Sequence, residues 1–149
     1  MNPCNFEWQV IDKLRRISSL MDQQVAPFCS GAGITPLQLN VLLTLHFEGP
    51  QTVSELARSA CMARTNNSSL CKKMEQDGLV ERRRDQGDER QVVVSLTPQA
   101  TQLAVSFVTR YAGSEAPFST ALPEAEAQDI LRQIERLLTI LEETTGDAP

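Results

Sequence analysis

Two closely spaced helix-start signals constrain the fold of this 149-residue chain more than any other feature. Thr35-Pro36-Leu37-Gln38 and Thr52-Val53-Ser54-Glu55 are both capping boxes, in which the first and fourth residues exchange hydrogen bonds with each other's backbone. The first box also has proline at the first helical position. Because Gly49-Pro50 ends a helix between them, the pattern predicts two short consecutive helices, over about residues 36–47 and 53–60.

A third helix and a hairpin are predicted to follow. Leu70, Cys71 and Met74 share one face of a helix over residues 64–76, which Asp77-Gly78 ends. Residues 79–84 and 91–96 have the composition of two strands, and residues 85–90 form the loop between them. The order predicts a helix-turn-helix with a two-stranded wing over residues 35–97.

Amphipathic helices are predicted on both sides of this core. Apolar residues recur at helical spacing from Phe6 to Val25, and Pro27 with the glycine-containing stretch after it is expected to end that helix. Thr97-Pro98 begins another helix, and a last one follows Pro123. We therefore expect a mainly α fold with a minor β part, forming a single domain over residues 1–149. Residues 5–28 and 98–144 are expected to dimerise; the alternative is that they fold back on their own subunit.

Charge is distributed unevenly along the chain. The net charge is −5, which argues against non-specific nucleic-acid binding by the whole surface. Between Arg58 and Arg90, however, eight basic and six acidic residues give a local charge of +2, so the remainder carries −7. The positive part contains the predicted third helix and the wing.

The outer face of that helix has the composition of a DNA-reading surface. Short hydrogen-bonding side chains precede two lysines, and such side chains reach base edges in a major groove while lysines neutralise phosphates. An ordinary solvated face is the alternative, but it would favour stronger helix formers. The predicted contacts are Thr65, Asn66, Ser68, Ser69, Lys72 and Lys73.

The hairpin loop supplies a second candidate DNA contact. Arg82, Arg83 and Arg84 end its first strand, and Arg90 starts the second; Arg83, Arg84 and Arg90 are the predicted contacts. An arginine at a loop tip can enter a narrow minor groove. Asp88 is expected to hold the Arg90 guanidinium by a charge-assisted hydrogen bond. The alternative is a solvated loop with an incidental ion pair.

These segments together resemble the multiple-antibiotic-resistance regulator (MarR) family. The resemblance is carried by Leu79 to Asp85, by Asp88-Glu89-Arg90, by Val94 to Pro98 and by both capping boxes. It implies a homodimeric winged helix-turn-helix repressor on pseudo-palindromic double-stranded DNA, released by a small aromatic or phenolic effector or by thiol oxidation. It also implies that Arg64 begins the recognition helix and that Arg90 is the wing-tip arginine.

The sequence contains candidate residues for both modes of release, ligand binding and thiol oxidation. A ligand pocket is expected where the dimer helices meet the core, lined by residues of the first, second and fifth helices, although each residue is as easily plain core. They are Met21, Phe28, His46, Phe47 and Phe107. Cysteines are the competing sensors, with Cys4 and Cys29 expected to be accessible, Cys61 in the turn before the recognition helix and Cys71 on it.

Other classes of protein fit the sequence less well. One histidine and scattered cysteines make a poor metal-ligand set, so no metal or cofactor is expected. No nucleophilic triad or phosphate-binding loop indicates an enzyme. No apolar run reaches membrane-spanning length and no signal peptide is recognised, which predicts a cytoplasmic protein. The remaining rivals are a winged-helix module that binds only protein and a metal- or redox-responsive repressor of another winged-helix family.

Overall fold

The computed structural model describes residues 3–60, 64–111 and 121–145, without the side chains of Pro3, Cys4 and residues 64–67. Its elements, in chain order, are α1 (Pro3–Ala32), α2 (Pro36–Glu48), β1 (Gln51–Thr52), α3 (Val53–Ser59), α4 (Arg64–Gln76), β2 (Val80–Arg84), β3 (Val92–Leu96), α5 (Pro98–Tyr111) and α6 (Glu124–Thr145). The chain divides into two compact units, residues 1–109 and residues 110–149.

Both predicted capping boxes form. The Gln38 backbone N–H donates to Thr35 Oγ1 at 3.1 Å, and the Thr35 N–H donates to Gln38 Oε1 at 2.9 Å. Thr52 and Glu55 exchange the same two bonds at 3.2 and 2.8 Å. These bonds fix the starts of α2 and α3 because they satisfy backbone donors that the first turn of a helix leaves free.

The first helix is longer than predicted. Pro27 was expected to help end it, but α1 continues through Pro27 to Ala32. Phe28 and Cys29, which follow the proline, are 8% and 2% exposed, and their burial offsets the backbone hydrogen bond that proline removes. The helix ends at Gly33, within the glycine-containing stretch that was also expected to end it. The φ of 68° at Gly33 suits glycine, and the Ile34 N–H donates to the Cys29 carbonyl.

The wing is part of a three-stranded antiparallel sheet, not the two-stranded hairpin that was predicted. The strand order is β1-β3-β2, and the added strand β1 contains only two residues. Gln51 and Thr52 pair with Val94 and Val93. A strand this short has no alternating pattern to reveal it, and Thr52 was already assigned as a helix cap. The hairpin of β2 and β3 lies within one residue of its predicted bounds.

One core holds the helix-turn-helix and the sheet together. It is formed by apolar residues of α2, α3, α4, the sheet and α5: Val41, Leu42, Leu45, Leu56, Ala60, Cys71, Met74, Leu79, Val80, Val94 and Ala100. Fully burying a side chain of this size stabilises a fold by roughly 1.5–3 kcal/mol. The position of α4 is therefore set mainly by packing.

A hydroxyl group joins the end of α4 to the start of α5. Thr97 Oγ1 donates to the Gly78 carbonyl at 2.7 Å and accepts from the Ala100 N–H at 3.2 Å. The Thr97 N–H also donates to the Leu79 carbonyl at 3.2 Å. Gly78, at φ 72°, ends α4 in the left-handed conformation that favours glycine.

Replacing Thr97 with valine should therefore destabilise the fold by about 1–2 kcal/mol, because it removes the cap of α5 and the bond to Gly78. Urea unfolding followed by circular dichroism measures the change. Thr97→Ser keeps the hydroxyl and is the control. Equal stability of the valine and serine variants would show that the hydroxyl contributes nothing.

Candidate nucleic-acid interface

The helix α4, which was predicted to be the recognition helix, has one buried and one exposed side. Cys71 and Met74 are 0% exposed, and Leu70 is partly buried against the same core. Ser68, Ser69, Lys72 and Lys73 are all exposed. Arg64, Thr65 and Asn66 lie in the helix, but their side chains fall outside the part of the chain that the structure describes. The predicted division of α4 is confirmed for residues 68–76.

The two exposed lysines differ in their surroundings. Lys73 Nζ lies 2.9 Å from Asp77 Oδ1, an exposed pair one helical turn apart. Such pairs contribute about 0–1 kcal/mol, so DNA phosphate can compete for this lysine. Lys72 makes no ion pair among the described residues. The helix therefore presents hydroxyls first and cations towards its carboxyl end.

The wing loop is held in shape by its own backbone and by two aspartates. The Asp85 N–H donates to the Gln91 carbonyl at 2.9 Å, which closes the loop. The Gly87 N–H donates to Asp85 Oδ1 at 3.4 Å, and the Arg90 N–H donates to Asp88 Oδ1 at 3.0 Å. These are turns in which an aspartate side chain takes the place of a backbone carbonyl.

The predicted bond from the Arg90 guanidinium to Asp88 is therefore wrong. Asp88 accepts from the Arg90 backbone, since a side chain two residues earlier is ideally placed to bond that N–H. Arg90 is exposed and forms no ion pair with any described residue. Arg84 is also exposed, and Arg83 pairs with Glu81 at 2.9 Å on the surface. The hydrogen bonds of the loop therefore leave the Arg90 guanidinium available to contact DNA.

A cleft of about 390 Å³ lies between the helix-turn-helix and the wing. Its walls come from β1 and α3, from Ser68 of α4, and from the wing: Thr52, Val53, Ser54, Glu55, Arg58, Ser68, Arg82, Arg90, Gln91 and Val92. The sequence interpretation assigned no role to Ser54, Arg58 or Arg82. Arg58 contributes to the local positive charge of residues 58–90. Its position on α3, the first helix of the helix-turn-helix, is the sequence signal that could have indicated a contact with DNA.

Electrostatics in this cleft favour an anion. Three arginines face one carboxylate, that of Glu55. Glu55 is occupied by its capping role, because the backbone N–H and hydroxyl of Thr52 both donate to it and lower its pKa. A carboxylate fixed in this way stays ionised at neutral pH but is already hydrogen-bonded. Arg82 is also paired with Glu75 at 3.5 Å, so Arg58 and Arg90 remain the groups most available to bind phosphate.

Four of the five candidate ligand residues form two aromatic pairs, and Met21 belongs to neither pair. The rings of Phe28 and Phe107 meet edge to face with centroids 5.0 Å apart, and those of His46 and Phe47 do so at 5.1 Å. Met21 and Phe47 are largely exposed, at 49% and 68%. None of these five residues lines the cleft described above. Phe28 and Phe107 are the two that pack α1 against α5.

The expectation that Cys29 is accessible is wrong. The longer α1 carries it into the core, where it is 2% exposed. Burial raises the pKa of the Cys29 thiol, and the nearby Asp22 raises it further. Burial also raises the pKa of Cys71, with a smaller opposing effect from Arg82. Cys61 and the Cys4 side chain fall outside the described part of the chain.

Two further findings concern metal sites and membrane-spanning helices. Among residues 3–60, 64–111 and 121–145, no group of three or more His, Cys, Asp or Glu side chains is placed to hold a metal ion. In the same segments no single helix is long and apolar enough to cross a membrane, and α1 and α2 meet that requirement only when taken together across an 88° bend.

Comparison with known proteins finds a matching family. The model of the MarR family matches residues 34–92, which span the helix-turn-helix and most of the wing. This segment of the chain is therefore similar to the MarR family. The similarity of the chain to YsmB of Bacillus subtilis, an uncharacterized HTH-type transcriptional regulator, is 29% identity over 65% of this chain and 66% of that protein. The match thus spans just under two thirds of that relative.

Other MarR-like proteins align over more of their length. The homoprotocatechuate degradative operon repressor of Escherichia coli is 26% identical over 78% of this chain and 74% of its own. Reduced AbfR bound to DNA, a protein of Staphylococcus epidermidis, superposes with a TM-score of 0.69 at 29% identity. That alignment covers 93% of this chain and 95% of AbfR. The chain therefore shares the AbfR fold over the aligned 93% of its length.

We predict that Cys29 and Cys71 react slowly in the native protein. Their raised pKa values shift thiolate formation to higher pH, so alkylation at pH 8 should be much slower than in the urea-unfolded chain. Peptide mapping by mass spectrometry after timed iodoacetamide treatment measures each site. Equal rates in the native and unfolded protein would contradict the described burial.

Proposed function

We propose that this chain is a homodimeric, sequence-specific DNA-binding repressor. The observation that carries the proposal is the shared exposure of the α4 hydroxyls and lysines, the wing-tip Arg90 and the cationic cleft between them. Short polar side chains on a helix read base edges in the major groove, and an arginine on a loop suits the adjacent minor groove. The similarity of this chain to AbfR, a protein whose structure was solved bound to DNA, supports the proposal.

Dimerisation is proposed from unburied apolar surface on two helices, each considered alone. On α1, Ile11, Leu14, Ile17 and Met21 recur at helical spacing and are 41–50% exposed. On α6, no residue is buried, although Ile130, Ile134, Leu137, Leu138 and Leu141 form a stripe. Apolar surface of this extent marks an interaction site. A second copy would cover it and set two recognition helices about one DNA turn, roughly 34 Å, apart.

For release, we propose a small aromatic acid rather than direct oxidation of Cys29 or Cys71. Both thiols are buried with raised pKa values, which disfavours the reactive thiolate. A ligand of this kind would pack against or separate the edge-to-face pair of Phe28 and Phe107, which joins α1 to α5. Fluorescence-detected DNA release by phenolic acids, compared with peroxide, tests this choice; release by peroxide alone would reject it.

Arg90→Ala should weaken binding to a duplex selected from random DNA by about 1–3 kcal/mol, because the wing loses its groove contact. Fluorescence anisotropy measures the affinity. Arg132→Ala is the matched control, since Arg132 is an exposed arginine on α6 that pairs with Asp129. Both variants should remain dimeric by light scattering. Unchanged affinity in Arg90→Ala would remove the wing from the binding mode.

Ile134→Glu should dissociate the dimer, since a carboxylate in an apolar interface is unfavourable by about 3 kcal/mol or more. Sedimentation velocity at micromolar concentration measures this. Thr139→Glu introduces the same charge on the opposite side of α6, given about 100° per residue, and should leave the dimer intact. A dimeric Ile134→Glu variant would assign the α6 stripe another role.

A further inference from the structure

One of the three consecutive arginines of β2 differs from its neighbours. The Arg82 side chain is 19% exposed, whereas that of Arg83 is 79% exposed. Arg82 pairs in register with Val94, which is fully buried on β3. It therefore lies on the inner face of the sheet, beside the core, where an apolar residue would normally be expected.

This partly buried arginine contacts α4. Arg82 Nη1 lies 3.5 Å from Oε2 of Glu75, in the last turn of α4. Arg82 Nε is buried and has no hydrogen-bond partner among the described residues. A buried donor without a partner destabilises a fold, and an apolar side chain opposite Val94 would avoid that cost. Stability alone does not explain an arginine at this position.

We propose that Arg82 is a positioning residue that fixes the wing relative to α4 through its ion pair with Glu75. The inference rests on the proposed DNA-binding function. If α4 and the wing enter adjacent grooves, they must keep a fixed angle to each other. An ion pair between the two elements holds that angle before binding and so reduces the conformational entropy lost when DNA binds. Arg82 is the described wing residue that forms an ion pair with α4.

The competing role for Arg82 is direct contact with a DNA phosphate. It lines the cleft with Arg58 and Arg90, so its charge also contributes to the local field. The two roles predict opposite effects of neutralising Glu75. If Arg82 simply binds phosphate, removing the Glu75 charge should tighten DNA binding. If the ion pair positions the wing, removing that charge should weaken binding to the specific site.

The test measures affinity for a selected operator and for a scrambled duplex, using wild type, Glu75→Gln, Arg82→Gln, Arg82→Lys and the double Gln variant. We expect Glu75→Gln to lose about tenfold in operator affinity, with no loss on the scrambled duplex. The double variant should be no worse than Arg82→Gln, because the two residues act as a unit. Arg82→Lys, which keeps the charge, should recover most of the loss.

Glu81→Gln is the matched control. Glu81 pairs with Arg83 at 2.9 Å on the exposed face of the same strand, so its neutralisation should leave operator binding unchanged or tighter. Tighter operator binding by Glu75→Gln, or an equal loss on both duplexes, would overturn the proposal. If the wild type binds neither duplex, the proposed DNA-binding function fails. If the wild type binds but the variants behave in either of the ways just described, only the positioning role of Arg82 fails.

Discussion

The packing of one side of α4 on the core determines where the proposed DNA contacts lie. Cys71 and Met74 are fully buried against residues of α3 and the sheet, and each such burial contributes roughly 1.5–3 kcal/mol. Rotating α4 by one residue would expose these side chains and bury Ser68 or Lys72. Surface ion pairs such as that of Lys73 with Asp77 contribute about 0–1 kcal/mol and cannot oppose this packing. The hydrophobic core thus orients the polar face.

A protein with a negative net charge can still bind a polyanion such as DNA, because dissolved salt screens the interaction between charges that are far apart. At physiological ionic strength the screening length is about 8 Å, so carboxylates elsewhere on the chain do not cancel the arginines of the cleft. Within the cleft, Glu55 is held by Thr52 and faces three arginines. The net charge of −5 then limits non-specific DNA binding by the whole surface, while the arginines of the cleft favour DNA binding at this one face.

Local signals in the sequence predicted the parts of the fold that local chemistry determines. The capping boxes at Thr35 and Thr52 specify their own hydrogen bonds, so α2 and α3 start where expected. Features decided by distant contacts were missed: Pro27 sits inside a helix because Phe28 is buried, and β1 exists because β3 pairs with it. For the proposed site, the sequence predicted the α4 cations and Arg90 as contacts but gave Arg82 no role, because the role proposed for Arg82 depends on cross-strand register.

The central claim is that two copies present matched recognition helices and wings to one duplex. Selection of bound sites from random DNA, followed by sequencing, tests it most directly. We predict enrichment of an inverted repeat whose half-sites lie about 10 base pairs apart, centre to centre. Enrichment of a single unrepeated half-site, or no enrichment over the starting pool, would contradict the account.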